Sequence, residues 1–191
     1  ADFSAQFAFI TRVAWTLVYA GVPNVAILDG GFAAWQKGGG QVVTTMSPPR
    51  SANFTVTFKP EYFASKSYVI SQIGKAMILD ARSSDIYFGV KKQGIVGQYG
   101  HVPKAKNLPT MFAVSADGVL LPAADLEAMA RALFPNKNGE IISYCDTGVL
   151  ATGWWWILHE MLGYKNVRSY DGSSQDIAAD PKVAFVKYLW E

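Results

Sequence analysis

An internal repeat constrains this chain more than any other feature. Gly21-x-x-Asn24-Val25-x-x-x-Asp29-Gly30 returns as Gly163-x-x-Asn166-Val167-x-x-x-Asp171-Gly172, five identities in register at an offset of 142. Each copy follows an apolar, Trp-containing stretch with helical spacing. Two related supersecondary units are therefore present, and units of this kind bury their apolar sides against neighbours. The copies are unequal, since about 80 residues stand ahead of the second that have no counterpart ahead of the first. At the same offset the only cysteine, Cys145, aligns with Phe3, so the first copy has no thiol at the equivalent place.

The second copy opens with a strand-turn-helix pattern. Ile141 to Tyr144 is a short apolar run that reads as a buried strand, and the residues after Ala151 read as a helix. Cys145 to Leu150 form the turn between them. A turn that opens a helix presents unpaired backbone N–H groups and the positive end of the helix dipole, a combination that lowers a thiol's pKa and holds anions. Gly148 frees the backbone to curl around the sulfur. Cys145 is accordingly the candidate nucleophile.

Taken in order, residues 9 to 20 predict a helix that ends at Gly21, with Pro23 just beyond. Val25 to Leu28 reads as a short buried strand, and Phe32 to Lys37 as a brief helix stopped by Gly38-Gly39-Gly40. Residues 41 to 60 alternate around Pro48-Pro49 and suit an extended connection. A new α/β pattern then begins, with a helix from Lys66 to Gly74, a strand from Ala76 to Asp80 and a short helix after Ser83-Ser84. A Gly- and Lys-rich loop, 89 to 100, leads to Gly100-His101-Val102-Pro103 and a short strand at Ala105 to Asn107. Pro122 to Phe134 is an amphipathic helix, apolar at Leu126, Met129, Ala130 and Leu133. Trp154, Trp155 and Trp156 span about 200° of helix, too wide an arc for a single core, so at least one is expected to meet the first unit or a partner.

Composition narrows the partners. Of 191 residues half are hydrophobic, 17% are charged, and the formal net charge is +2, with Lys and Arg scattered rather than striped. This disfavours nucleic acid as a partner and leaves small anions open. One cysteine cannot form an intramolecular disulfide or a multi-thiolate site, and His101 and His159 are too far apart for zinc spacing, so no metal and no cofactor is expected. No apolar run reaches the length of a membrane span.

Asp80-Ala81-Arg82, Gly100-His101-Val102-Pro103, Cys145 and Asp171-Gly172-Ser173, in this order, make the chain resemble the rhodanese family of sulfurtransferases. The resemblance implies an α/β fold with a central, mostly parallel sheet flanked by helices. It implies a complete catalytic domain at 60–191, a linker at 47–59, and at 1–46 the C-terminal part of an inactive domain of the same kind, carrying Leu28-Asp29-Gly30-Gly31-Phe32-Ala33-Ala34-Trp35. This is the tandem arrangement of thiosulfate and 3-mercaptopyruvate sulfurtransferases. The Cys145-Asp146-Thr147-Gly148 loop is most similar to exported bacterial members, which implies the periplasm, with the cytoplasm as the alternative.

The mechanism implied is transfer of a sulfane sulfur from a small anionic donor to cyanide or a thiol through a Cys145 persulfide. The amides of Asp146, Thr147, Gly148, Val149, Leu150 and Ala151 are expected to encircle the sulfur. A phosphatase of related loop geometry needs Cys-x5-Arg, and Ala151 stands where that Arg belongs. The family's usual donor-binding Arg, four residues beyond Arg82, is Ile86 here, and the loop carries Asp146 and Leu150 in place of basic residues. Arg82, Lys91 and Lys92 are the remaining candidates for anion contacts, although the Asp-x-Arg turn is expected to be mainly structural. The alternative function is a non-catalytic or sulfur-carrier module that binds a protein partner. Phe3, Phe7, Phe9, Trp15, Phe32 and Trp35 cannot be buried by 46 residues alone, so either a second chain that completes the first unit or further sequence of the same polypeptide is expected.

Overall fold

Four short segments pair as one sheet in the computed structural model, which describes the backbone from Phe3 onward and side chains from Gln6 onward. The strands are β1 (Met77–Asp80), β2 (Ala105–Asn107), β3 (Glu140–Tyr144) and β4 (Asn166–Ser169), ordered β2-β1-β3-β4 and all parallel. A parallel sheet needs cover on both faces. Successive side chains alternate accordingly: Leu79 and Ile141 enter one core, Ile78 and Ile142 the other.

The first of these cores is closed by α5 (Ala123–Leu133) and α6 (Ala151–Trp156), with α6 running on into a wider π-turn at Ile157–Met161. The second is closed by α3 (Lys66–Gln72), α4 (Ser84–Phe88) and α7 (Ser173–Ile177), which supply Val69, Tyr87 and Ile177. α3 begins where the Ser65 hydroxyl caps the Tyr68 N–H at 3.3 Å. Among the described residues, no helix is long and apolar enough to cross a membrane.

Residues ahead of the linker join the first core. α1 (Phe3–Tyr19) lies along α6 and buries Phe7, Ala14 and Trp15 there. Phe3 is part of this helix, but its side chain lies outside the described residues. Gly153 permits the close crossing, because a Cβ at that position would meet Thr110 Cγ2 at 2.5 Å and the Phe7 ring at 3.3 Å. Trp15 meets Trp155 edge to face at 6.4 Å, and Trp155 Nε1 donates to the Val167 carbonyl at 2.9 Å. All three tryptophans of α6 are thereby buried, one face by the sheet and the other by α1.

α1 ends as its sequence predicts. Gly21 takes φ +86° and the Val22 N–H reaches back to the Leu17 carbonyl at 2.9 Å. The chain after it departs from expectation. Val25 to Leu28, read as a strand, is irregular, because no strand among the described residues lies beside it to share a ladder. α2 (Gly31–Lys37) follows with no buried residue. Residues 47–59 carry no helix or strand, but Thr57 and Lys59 donate to the carbonyls of Ala20 and Tyr19 at 3.1 and 2.9 Å, returning the chain to the end of α1.

Trp15→Ala tests whether α1 belongs to the cooperative core. It is expected to cost about 3–5 kcal/mol in urea unfolding, whereas Phe9→Ser, at a site 62% exposed, should change stability by no more than about 0.5 kcal/mol. Equal effects of the two changes would place α1 outside that core.

Candidate active site at the Cys145 turn

The carboxyl ends of the strands gather the chemistry, as is general for parallel α/β sheets. Arg82 follows β1, Cys145 follows β3 and Ser173 follows β4. Cys145 is only 1% exposed. Its Sγ accepts the Gly148 N–H at 3.1 Å, and Gly148 reaches that position with φ +82°. This left-handed backbone brings the turn against Asp171: a Cβ on Gly148 would sit 2.5 Å from the Asp171 carbonyl oxygen.

Hydroxyls occupy the carbonyls of the turn. Thr152 Oγ1 donates to Val149 O at 2.8 Å, Thr110 Oγ1 to Leu150 O at 2.8 Å and Ser143 Oγ to Ala151 O at 2.9 Å. Of the turn's N–H groups, those of Ala151, Thr147 and Gly148 act on the sulfur. Burial nevertheless pushes the Cys145 thiol up; the amides of Ala151, Thr147 and Gly148 pull it down, and the Asp146 charge adds to the rise. The balance is a raised thiol, which reverses the lowering expected from a helix N-terminus. The physical reason is that a thiolate in this closed pocket forfeits all hydration, and three amides do not offset that loss.

Asp146 faces Arg82, whose Nη1 lies 3.6 Å from Asp146 Oδ1. Burial raises the Asp146 carboxyl, while Arg82 opposes the rise. Arg82 is itself buried and committed elsewhere. Its Nε donates to Asp80 Oδ1 at 2.9 Å and its Nη2 to Asp80 Oδ2 at 2.5 Å and to Gly100 O at 2.7 Å, so it remains fully protonated. Lys91 and Lys92 are not brought to the turn: Lys91 pairs with Asp85 at 2.9 Å and Lys92 donates to Val96 O at 2.8 Å. Ile86 sits on α4. His101 is buried, donates from Nδ1 to Tyr87 O at 2.8 Å and stacks on the Tyr87 ring. Thr147 is the exposed residue of the turn, and Val149 and Leu150 are half-buried.

Two further residues reach the turn that the sequence does not single out as site residues, although Ser173 belongs to the Asp171-Gly172-Ser173 motif. Ser173 Oγ accepts the Cys145 N–H at 3.1 Å and donates to Tyr170 O at 2.8 Å, while the N–H groups of Ser174 and Gln175 donate to the carbonyls of Cys145 and Asp146. The repeat held the signal: Ser173 aligns with Gly31, both have positive φ (48° and 59°), and a serine kept where glycine is easier needs a reason. The other is Arg12, which pairs with Asp171 and lies 3.5 Å from the Gly148 carbonyl. Among the described residues, no group of His, Cys, Asp and Glu side chains could hold a metal ion.

Comparison with known proteins adds the following. A family model described as a Rhodanese-like domain matches residues 65–180. The sulfur carrier protein TtuD of Thermus thermophilus is 30% identical over 182 residues, covering 88% of this chain and 62% of that protein. A protein of Mycobacterium tuberculosis named "Putative thiosulfate sulfurtransferase SseB" is 32% identical over 143 residues, covering 73% and 50%. The chain thus spans half to three-fifths of the curated relatives it matches. In structure it is similar to wild-type EanB (TM-score 0.82, 19% identity, 94% of this chain and 44% of that one) and to YnjE (TM-score 0.80, 24% identity, 93% and 46%), likenesses that bear on the fold.

The raised thiol has a measurable consequence. The rate of Cys145 alkylation by iodoacetamide is expected to rise with pH along a curve whose midpoint lies above the ordinary thiol value of about 8.5. A midpoint below that value would mean that the amides of the turn outweigh burial.

Proposed function

Because the chain belongs to the rhodanese-like family, we propose that it is a sulfurtransferase in which Cys145 carries the sulfur. The single observation that supports this most directly is the Gly148 N–H at 3.1 Å from Cys145 Sγ, in a turn whose carbonyls are engaged by hydroxyls. Each N–H aimed in this way stabilises negative charge that develops on the sulfur, even though burial leaves the free thiol raised.

In the proposed reaction the Cys145 thiolate attacks the outer sulfur of a donor such as thiosulfate. The S–S bond of the donor breaks, sulfite leaves with the bonding pair, and a persulfide anion remains on Cys145. Cyanide or a thiolate then attacks the terminal sulfur, and the Cys145–sulfur bond breaks to return the thiolate. The persulfide anion extends its charge one atom beyond Sγ, within reach of the amides of Thr147, Gly148 and Ala151, which already act on the sulfur. Neither step needs a metal or an oxidant.

A carrier function, with sulfur delivered by a protein donor, is the second reading. Asp146 beside the nucleophile, the engagement of Lys91 and Lys92 elsewhere, and the likeness to a protein named a sulfur carrier favour it. Incubation with thiosulfate separates the two. The sulfurtransferase reading expects a gain of one sulfur atom, about 32 Da, on Cys145 and thiocyanate on adding cyanide, both abolished in Cys145→Ser. No gain from thiosulfate, with sulfur loading by a protein persulfide, would favour the carrier; thiocyanate undiminished in Cys145→Ser would sink both.

The proposal extends to residues 1–46 as the C-terminal part of a second, inactive rhodanese-like unit, joined by the 47–59 linker to the 60–191 domain. The repeat supports it, as do the exposed Phe9, Val13, Phe32 and Trp35 and the unpaired segment at Val25 to Leu28. A separate chain bearing the remaining strands would cover these side chains. Native mass spectrometry should then find an assembly heavier than the 20.8 kDa of this chain; a lone species of that mass rejects the second chain.

A further inference from the structure

Arg12 is the point at which α1 reaches the Cys145 turn. It aligns with Trp154 in the repeat, and Trp154 is fully buried, so the first copy places a cation where the second places an apolar ring. The guanidinium of Arg12 pairs with the Asp171 carboxylate, lies 3.5 Å from the Gly148 carbonyl and stands over the Trp15 ring at 5.4 Å from its centre. Asp171 in turn presses on Gly148, its carbonyl and Oδ1 occupying the space where a Cβ would project. Gly148 is the residue whose N–H meets the sulfur.

Several charged groups gather near the Cys145 turn at the carboxyl ends of the strands. Asp146 comes from the turn itself, Asp80 and Arg82 from the end of β1, and Asp171 from the loop after β4; Tyr144, at the end of β3, is held neutral with its pKa well raised by burial. Arg82 is committed to Asp80 by two parallel hydrogen bonds and has only one nitrogen left toward Asp146. Among the described residues Arg12 is the cation paired with Asp171, whose carboxylate is 42% exposed. Without it, that carboxylate, screened only in part by solvent, would lie unpaired against the Gly148 backbone.

We propose that Arg12 is a positioning residue for the Cys145 turn, acting through Asp171 and the Gly148 carbonyl, so that the first unit of the repeat supplies part of the electrostatic balance of the second unit's site. This rests on Cys145 being the reactive group, but its test reads the thiol directly and does not depend on sulfur transfer.

The experiment is the pH profile of Cys145 alkylation by iodoacetamide in the full chain, with a denaturation curve for each variant. Arg12→Ala should move the midpoint upward, lowering the reactive thiolate at neutral pH roughly threefold to tenfold. Arg12→Lys should stay near the parent, and the double change Arg12→Ala with Asp171→Asn should return toward it, since the unanswered carboxylate is gone. A purely packing role predicts no such recovery. Coincident profiles for the parent and Arg12→Ala overturn the proposal, as does a double variant no nearer the parent than Arg12→Ala alone. If Arg12→Ala fails to fold, Arg12→Gln against Arg12→Lys decides: a shift in the first only supports the brace, and equal profiles overturn it. Should the parent form no thiocyanate while Arg12→Ala still shifts the profile, the sulfurtransferase reading falls and the brace stands.

Discussion

The buried Asp80 carboxylate holds the frame on which the Cys145 turn rests. It accepts from the Arg82 side chain, from the Arg82 N–H at 3.0 Å and from the Tyr144 hydroxyl at 2.6 Å, and that hydroxyl accepts the Val102 N–H at 3.1 Å. One carboxylate thus ties together the ends of β1 and β3 and the turn at 100–103. Removing either member of a buried ion pair leaves an uncompensated charge and typically costs about 3–5 kcal/mol. Cys145 is the residue directly after Tyr144, so the accuracy of its position derives from this network more than from the turn itself.

The same network explains how an acidic residue can sit next to the sulfur. Arg82, fully desolvated, sees two carboxylates, and Asp146 comes to rest 3.6 Å from its free nitrogen rather than beside Sγ. Arg82 thus faces the Asp146 charge, which still adds to the rise of the thiol. Burial remains the larger effect. A closed, dry pocket disfavours the bare thiolate, but the same dryness strengthens each amide dipole toward an anion that has already formed.

Much of the sheet was legible because each strand is a short apolar run closed by turn residues. β2 occupies Ala105–Asn107 as read, and β1 and β3 differ from expectation by one residue at their starts. The α5 helix and the Gly21 terminus of α1 were equally plain, since amphipathic spacing and a C′ glycine are local signals. What sequence could not provide was the partner of each group. Val25 to Leu28 has the composition of a strand and no neighbour to pair with. Lys91 and Lys92 looked available to an anion, yet Asp85 and the Val96 carbonyl hold them in their own loop. The thiol's pKa turned on burial, which no local pattern around Cys145 reveals. Arg12 was overlooked because 159 residues separate it from Asp171.

The helices ahead of the two Gly-x-x-Asn-Val-x-x-x-Asp-Gly segments are buried differently. In the second, the helix after Cys145 is buried on both faces, with β3 and β4 on one side and α1 on the other. In the first, α1 gives one face to α6 and leaves Phe9, Ile10, Val13 and Leu17 exposed on another. The contact between them runs through paired features: Trp15 on Trp155, Thr11 Oγ1 at 3.2 Å from Thr152 Oγ1, and Arg12 on Asp171. Two of these belong to packing, and the third ends at the peptide that touches the sulfur. A helix that had only to cover the tryptophans of α6 could have been apolar throughout. The guanidinium at position 12 adds to that packing an ion pair with Asp171 and a 3.5 Å approach to the carbonyl of Gly148, the residue whose N–H meets the sulfur.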